Sequence, residues 1–361
     1  MKVAIVLDTW FPYIGGGQIN AWEIAKRIVK KNIQIDIITR NLGKDKLKHP
    51  QNLKVIKLGS KTKPFDAISK ILFTFNTFFY LINSNYDLVH GHAFLPGLSI
   101  KATQIFKRVP TVFTVHGTFI GTRLNSSLTR ALEKLILTKL KYSKQITVSR
   151  DFYNVPNVNK NIAFISNGVD IKKFDEVKVK KRDIPTVIFV GRLHIQKNLE
   201  KLVEAISLFK RNIQLIIVGS GPQEEKLKKL VKKLNLESKV KFLGQVINRD
   251  LIKLYKSSHI FILTSIYEGQ PLTLFEAMAA KLPVICPETG DCSYLIKESK
   301  NGLLISDAQN PVQIAKTIEK ALTSKNLSQM GENGYQFVKK FTWDDAAQKT
   351  LQLYRQLIDA H

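Results

Sequence analysis

Two glutamates, Glu268 and Glu276, close the run Glu268-Gly269-Gln270-Pro271-Leu272-Thr273-Leu274-Phe275-Glu276. A carboxylate accepts paired hydrogen bonds from vicinal hydroxyls, as on a ribose or a hexose. Backbone N–H groups between Gly269 and Thr273, at the start of a helix, suit a phosphate. Glu276 falls on the apolar helical stretch 272–280, where a buried carboxylate is costly unless paired. That favours a ligand or ion partner over a plain surface face. A second group is the loop Gly191-Arg192-Leu193-His194-Ile195-Gln196-Lys197-Asn198. Its forked and point-charge cations suit a pyrophosphate whose charge grows as it leaves. A solvated basic loop is the other reading. A third is Gly15-Gly16-Gly17 between a strand and a helix. There the backbone can approach a ligand, and a helix N-terminus favours an anion by about 0.3–1 kcal/mol. A plain tight turn is the alternative. The triplet does not match Gly-x-Gly-x-x-Gly, which counts against a dehydrogenase. Last come His90, His92 and His116, facing a ligand at strand ends or packed and hydrogen-bonded. No Asp-x-Asp pair occurs, so a metal–diphosphate clamp of that type is not indicated.

The elements that would position these groups alternate. Short Val/Ile-rich runs at 3–7, 34–39, 53–57, 88–90, 111–115 and 145–148 read as strands buried on both faces. Helical patterns at 20–31 and 127–140 lie between them. A second series follows Pro185, with strands at 186–190, 214–218, 240–243, 260–263, 284–286 and 302–305. Its helices fall at 199–209, 223–234, 249–256 and 272–280, and a last one at 343–359. Asn198 stands where it can cap the helix that follows it. The charged stretch 172–185 reads as a linker. Such alternation implies two doubly wound α/β domains with parallel sheets, whose ligands bind beyond the carboxyl ends of the strands.

Composition agrees. A chain of 361 residues, 44% hydrophobic and 24% charged, fits two domains of roughly 100–200 residues each. Cys286 and Cys292 lack partners at zinc-ligand spacing and read as a reduced, buried pair in a cytoplasmic protein. The opening Met1-Lys2-Val3-Ala4-Ile5-Val6-Leu7 reads as a buried strand rather than a signal peptide. The net charge of +27 attracts anions in general. No recognition helix, RNA-binding motif or aromatic–basic platform points to nucleic acid. The apolar stretch 68–82 is too short to span a bilayer and reads as a buried or interfacial amphipathic helix. The basic stretch 123–144, with Leu128, Leu132, Leu135, Ile136 and Leu140 at helical spacing, is either a face for anionic lipid or an ordinary core-facing helix.

Taken together the motifs resemble the retaining glycosyltransferases of family 4, of GT-B fold. The resemblance covers essentially the whole chain. It rests on Pro12-Tyr13-Ile14-Gly15-Gly16-Gly17-Gln18, Ser166-Asn167-Gly168-Val169-Asp170, the 190–198 loop, Gly219-Ser220-Gly221-Pro222, the Glu268/Glu276 run onward to Ala279, and Phe341-Thr342-Trp343. It implies two tandem Rossmann-like doubly wound domains facing across a cleft. Residues 1–170 would be the acceptor side, with 343–361 packing back on it, and 171–342 the nucleotide-sugar donor side. It implies that Arg192 and Lys197, beside Gly191, hold the donor diphosphate and that Glu268 binds donor-sugar hydroxyls. Glu276 would hold the ribose. Gly269 through Leu272, with Thr273 beside them, would give backbone contacts. Gly16 and Gly17 would approach the diphosphate, and His116 would lie near the anomeric carbon. No metal or other cofactor is implied. The reaction would carry a hexose from a UDP- or GDP-sugar to a glycan or lipid-linked hydroxyl, without a protein base. Three departures stand out. Gln270 occupies a position usually aromatic, Gly290-Asp291-Cys292-Ser293-Tyr294 replaces a Gly-Gly-x-x-Glu pattern, and Gln18 stands for a frequent Glu. A sugar-nucleotide epimerase of similar fold and a non-catalytic binder of anionic surfaces are the competing readings.

Overall fold

A computed structural model of the chain describes all residues except 14, 45–46, 64–65, 118–126, 156–157 and 159–160, and only the backbone of 127–129 and 154. The chain divides into two compact units. One comprises Met1–Asn167 with Trp343–His361, and the other Gly168–Thr342. The sequence reading places that first boundary at residue 170.

The first unit is a seven-stranded sheet. Its strands are β1 (Lys2–Val6), β2 (Gln34–Arg40), β3 (Leu53–Leu58), β4 (Leu88–His92), β5 (Thr111–Val115), β6 (Lys144–Thr147) and β7 (Ile162–Phe164). The order is β3-β2-β1-β4-β5-β6-β7, and every pair is parallel. Val3 sits opposite both Ile35 and Leu88, so the apolar run of β1 is covered along both edges. Its helices are α1 (Gly16–Ile28), α2 (Ala67–Ile82), α3 (Phe94–Lys107) and α4 (Ser127–Thr138). The C-terminal helix Trp343–Asp359 belongs to this unit. Its Trp343 and Tyr354 are buried, and Asp344 Oδ1 accepts from Arg27 Nε of α1 at 2.7 Å.

The second unit begins with the short helix α5 (Ile171–Asp175) and holds six parallel strands. These are β8 (Thr186–Val190), β9 (Gln214–Val218), β10 (Val240–Phe242), β11 (Ile260–Ile262), β12 (Val284–Pro287) and β13 (Gly302–Ile305), in the order β10-β9-β8-β11-β12-β13. Helices α6 (Leu199–Ser207), α7 (Glu224–Lys233), α8 (Asn248–Ser257), α9 (Leu272–Ala279), α10 (Cys292–Ser299), α11 (Pro311–Leu322) and α12 (Leu327–Val338) complete it. Both cysteines are free and fully buried.

Two features differ from the sequence reading, and a third decides between alternatives it left open. The stretch 172–185 is not a bare linker: Phe174 and Val177 are buried in the second core, and their carbonyls accept from Lys256 Nζ at 2.6 and 2.7 Å. Asn198 has left-handed backbone (φ 53°) and makes no capping bond; its Nδ2 donates instead to Ala308 O at 2.7 Å. The apolar stripe of α4 turns inward. Ile136 is fully buried, Leu132 and Leu140 pack on the core, and only Leu135 among the described stripe residues is exposed. Arg123 and the Leu128 side chain, the start of the supposed lipid face, lie outside the described residues.

Candidate active site

Each sheet reverses its winding once. In the first unit the chain proceeds outward from β1 through β2 and β3, then returns to β4 on the other side. In the second it proceeds from β8 through β9 and β10, then returns to β11. The loops beyond the carboxyl ends diverge at those switch points and leave a crevice. The Gly15–Gly17 turn follows β1, and the Arg192–Lys197 and Glu268 loops follow β8 and β11, at those points.

In the first unit, α1 starts at Gly16 with Gly15 as its N-cap, and its first helical bond runs from Ile19 N–H to Gly15 O. Gly16 and Gly17 thus form the first turn of a thirteen-residue helix, where N–H groups have no intrahelical partner. A β-carbon on Gly17 would stand 3.3 Å from His116 Cδ2, so the glycine lets backbone and imidazole meet. Ile14, inside the same motif, lies outside the described residues.

The three histidines differ in their surroundings. His90 is a packed core histidine: Tyr354 Oη lies 2.5 Å from Nδ1 and Thr114 Oγ1 2.6 Å from Nε2. Burial, with some contribution from His116, pushes it down to about 3. His116, also held low at about 4 by burial, contacts His92 through Nε2, 2.9 Å from His92 Nδ1. The two rings lie 21° from parallel with centroids 5.1 Å apart, so they meet edge to edge through those nitrogens. His92 Nε2 is buried without a hydrogen-bond partner. An orphaned buried N–H is rarer than an orphaned acceptor, so the His92 proton belongs on Nδ1, where it is donated. The His116 proton then resides on Nδ1.

In the second unit the β8 and β11 loops are stitched together. Thr264 Oγ1 donates to Lys197 O at 2.9 Å, Gln196 Nε2 to Tyr267 O at 2.7 Å, and Ile266 N–H to Gln196 O at 2.8 Å. This brings Lys197 Nζ to 2.5 Å from Glu268 Oε1, which also accepts from Ser265 Oγ at 2.5 Å. Glu268 is buried, and Lys197 largely so. Arg192 remains exposed, while the neighbouring His194 is held low by burial and by the charges of Arg192 and Lys197. Glycines set the Arg192 loop in place. A β-carbon on Gly219 (φ 130°) would fall 1.9 Å from Gly191 O, and one on Gly221 2.4 Å from Leu193 O.

Helix α9 begins at Leu272 with Pro271 as N-cap. The N–H groups of Leu272 and Thr273 are therefore free of intrahelical partners. Pro271 has no N–H to offer, which corrects the expectation that every backbone position from Gly269 to Thr273 can donate. Gln270 is buried and its Nε2 donates to Asp291 Oδ2 at 2.9 Å, while Asp291 N–H donates to Gly269 O at 2.9 Å. Two of the departures from the family pattern are therefore a single feature.

Glu276 lies in the second turn of α9. Its Oε2 accepts from Tyr255 Oη of α8 at 2.8 Å, a partner that sequence reasoning missed because it is distant along the chain. Burial raises the Glu276 carboxyl from 4.5 to about 7, against the opposing pull of that hydrogen bond. The folded protein thus binds more protons than the unfolded chain between those values. Ligand-free stability should fall as pH rises across that window and level off above about 7. Glu276→Gln should lack this dependence, which thermal melts of both proteins across the window will check.

Among the described residues no three His, Cys, Asp or Glu side chains converge as a metal site would require. The profile of Glycosyltransferase Family 4 matches residues 14–173, and that of Glycosyl transferases group 1 matches 170–337. An uncharacterized glycosyltransferase of Methanocaldococcus jannaschii is 28% identical over 98% of each chain. Sucrose-phosphate synthase of Thermosynechococcus elongatus superposes with a TM-score of 0.88 over 100% of both chains at 24% identity. Anabaena HepE, solved in complex with UDP and glucose, does so with 0.79 over 99% of this chain and 100% of that one at 18% identity. Motif order, the paired sheets and both family profiles converge: the chain belongs to the family 4 glycosyltransferases of GT-B fold, enzymes that move a sugar from a nucleotide-sugar donor to an acceptor.

Proposed function

We propose that this enzyme is a retaining hexosyltransferase that uses a UDP- or GDP-sugar and delivers to a hydroxyl of a glycan or lipid-linked acceptor. The observation that carries this reading is the Lys197–Glu268 pair at the β8/β11 switch point, with Arg192 on the β8 loop and Glu276 on helix α9 that follows the β11 loop. Arg192 and Lys197 neutralise the diphosphate as it departs, and the open N–H groups of Leu272 and Thr273 add donors. Gly191 keeps the Arg192 loop clear of a side chain. Glu268 turns from Lys197 toward sugar hydroxyls when donor is bound. Glu276, once ionised, accepts from the ribose diol, so nucleotide affinity rises with pH through about 7. In the first unit, Gly16 and Gly17 offer open helix N-terminal N–H groups suited to an anion, and His116 Nδ1–H is a further donor.

The bond from C1 to the phosphate oxygen breaks while the acceptor oxygen attacks C1 on the same face. The acceptor proton passes to the departing phosphate oxygen. The buried Gln270–Asp291 pair gives the sugar pocket a polar wall, which favours a sugar read by its hydroxyls. Peripheral contact with an anionic membrane belongs to the same reading, because it would bring a lipid-linked acceptor to the enzyme.

Proton NMR of donor turnover, with water or simple sugars as acceptor, tests this. From an α-linked donor the first product should carry the α configuration. A β product would overturn retention. Conversion of donor into an epimeric nucleotide sugar without acceptor would replace the transferase reading with the epimerase.

A further inference from the structure

Helix α2 carries two apolar faces. Phe73, Thr77 and Leu81, with Ser69, point inward and are buried. Ile68, Ile71, Leu72, Phe75 and Phe79 follow one another at helical spacing on the opposite side, and all five are exposed. The end of α3 continues that surface with Ile105 and Phe106, joined to it by Phe78, whose ring lies 5.5 Å from that of Phe106. Exposure runs from 55% at Ile71 and Leu72 to 74% at Phe106. Isolated exposed apolar residues are ordinary, but a contiguous group of this kind marks an interaction surface.

We infer that this face of α2 and α3 docks on an anionic lipid bilayer, lying in its interface without crossing it. The helix has sixteen residues and includes Lys70, too short to span. Among the described residues no helix is long and apolar enough to cross. Charge selects the occupant. Across α2 and α3 the charged side chains are Lys70, Lys101 and Lys107, with no acid. Lys101 and Lys107 bond to the carbonyls of Lys141 and Ser84 and to amide oxygens, not to carboxylates. An apolar, aromatic-rich face continued by Lys107 beside Phe106 at the end of α3, with no acid on either helix, is what an anionic membrane interface binds. A second copy would meet the face through a two-fold axis and set lysine against lysine. Nucleic acid would leave the aromatic stripe without a partner along the phosphates. This replaces the inward-turned stripe of α4 as the membrane surface. It rests on the transferase reading only for its purpose, since the geometry is independent of the donor site.

The test is flotation of the full chain with vesicles of phosphatidylcholine alone or mixed with phosphatidylglycerol, alongside light scattering. The wild type should float with the anionic vesicles and release as salt rises. The variant Phe75→Ser/Phe79→Ser should bind at least about 10-fold less, with Lys107→Gln weakening the preference for anionic lipid. Nucleotide-induced stabilisation should be unchanged in both variants, which separates this surface from the donor site. Wild-type protein that ignores anionic vesicles would overturn the inference. So would a serine variant that floats like wild type, or a wild-type dimer that the serine variant dissociates.

Discussion

Arg192→Ala and Lys197→Ala should each lower turnover of a nucleotide-sugar donor by about 100- to 1000-fold, the cost of removing one preorganised donor from a developing oxyanion. The two losses should differ in character. Arg192 is exposed near the start of its loop, so its removal should cost the ligand-free protein less stability than removal of Lys197. Lys197 holds Glu268 at 2.5 Å, and its truncation leaves a buried carboxylate that keeps its bond from Ser265 Oγ but loses its cation. Breaking a buried pair costs about 3–5 kcal/mol, and the partial exposure of Lys197 places this case at the lower end. The double variant Lys197→Met/Glu268→Gln should recover much of that stability without recovering turnover. Steady-state kinetics and melts of the three proteins will show whether charge at the leaving group, rather than folding, limits the reaction.

The second large effect concerns a residue with no chemistry of its own. Gly290 has φ 50°, and a β-carbon there would lie 1.9 Å from Glu268 O and 2.6 Å from Gly269 O. Both neighbours are backbone, so the loop carrying Glu268 would have to move. Gly290→Ala should cost about 3 kcal/mol, combining left-handed backbone with displacement of the loop. That corresponds to a fall in Tm of roughly 6–12 °C. Turnover should drop at least about 100-fold, since a misplacement near 1 Å has that consequence. Gly244 is the control. It has φ 63° with nothing near its would-be β-carbon, so Gly244→Ala should lose only about 1–2 kcal/mol and keep its activity.

Much of this architecture is legible in the chain because buried parallel strands need long Val/Ile runs. Residues 111–115, 186–190, 214–218 and 302–305 read as strands and are strands from end to end. The strand β7 escapes because three partly buried residues at a sheet edge carry too little pattern. Helix α3 escapes for a different reason. Its opening Phe94-Leu95-Pro96-Gly97 looks like a turn, yet Pro96 lies in the first turn, where no intrahelical N–H is needed. Gly97 is required there because a β-carbon would stand 2.8 Å from Tyr142 Oη. At the site, charged residues announce themselves by type and spacing: Arg192, Lys197, Glu268 and Glu276 all stand at one switch point. Their supports do not. Tyr255 touches Glu276, Asp291 touches Gln270, and Gly219 and Gly290 make room for neighbouring carbonyls, each through contacts that only the folded sheet creates. That His90 is packed likewise shows only through Tyr354, contributed by the far end of the chain.

The proposed nucleotide-diphosphate site comprises Arg192, Lys197 and Glu276. Its most direct test is the thermal stability of wild type, Arg192→Ala and Glu276→Ala against a panel of nucleoside diphosphates and nucleotide sugars. Ligand at 100 times its Kd stabilises by about 2.7 kcal/mol. One base family should raise the wild-type Tm, and both variants should lose most of the shift. Folded wild type with no response to any of them, or a shift that both variants retain in full, would contradict it.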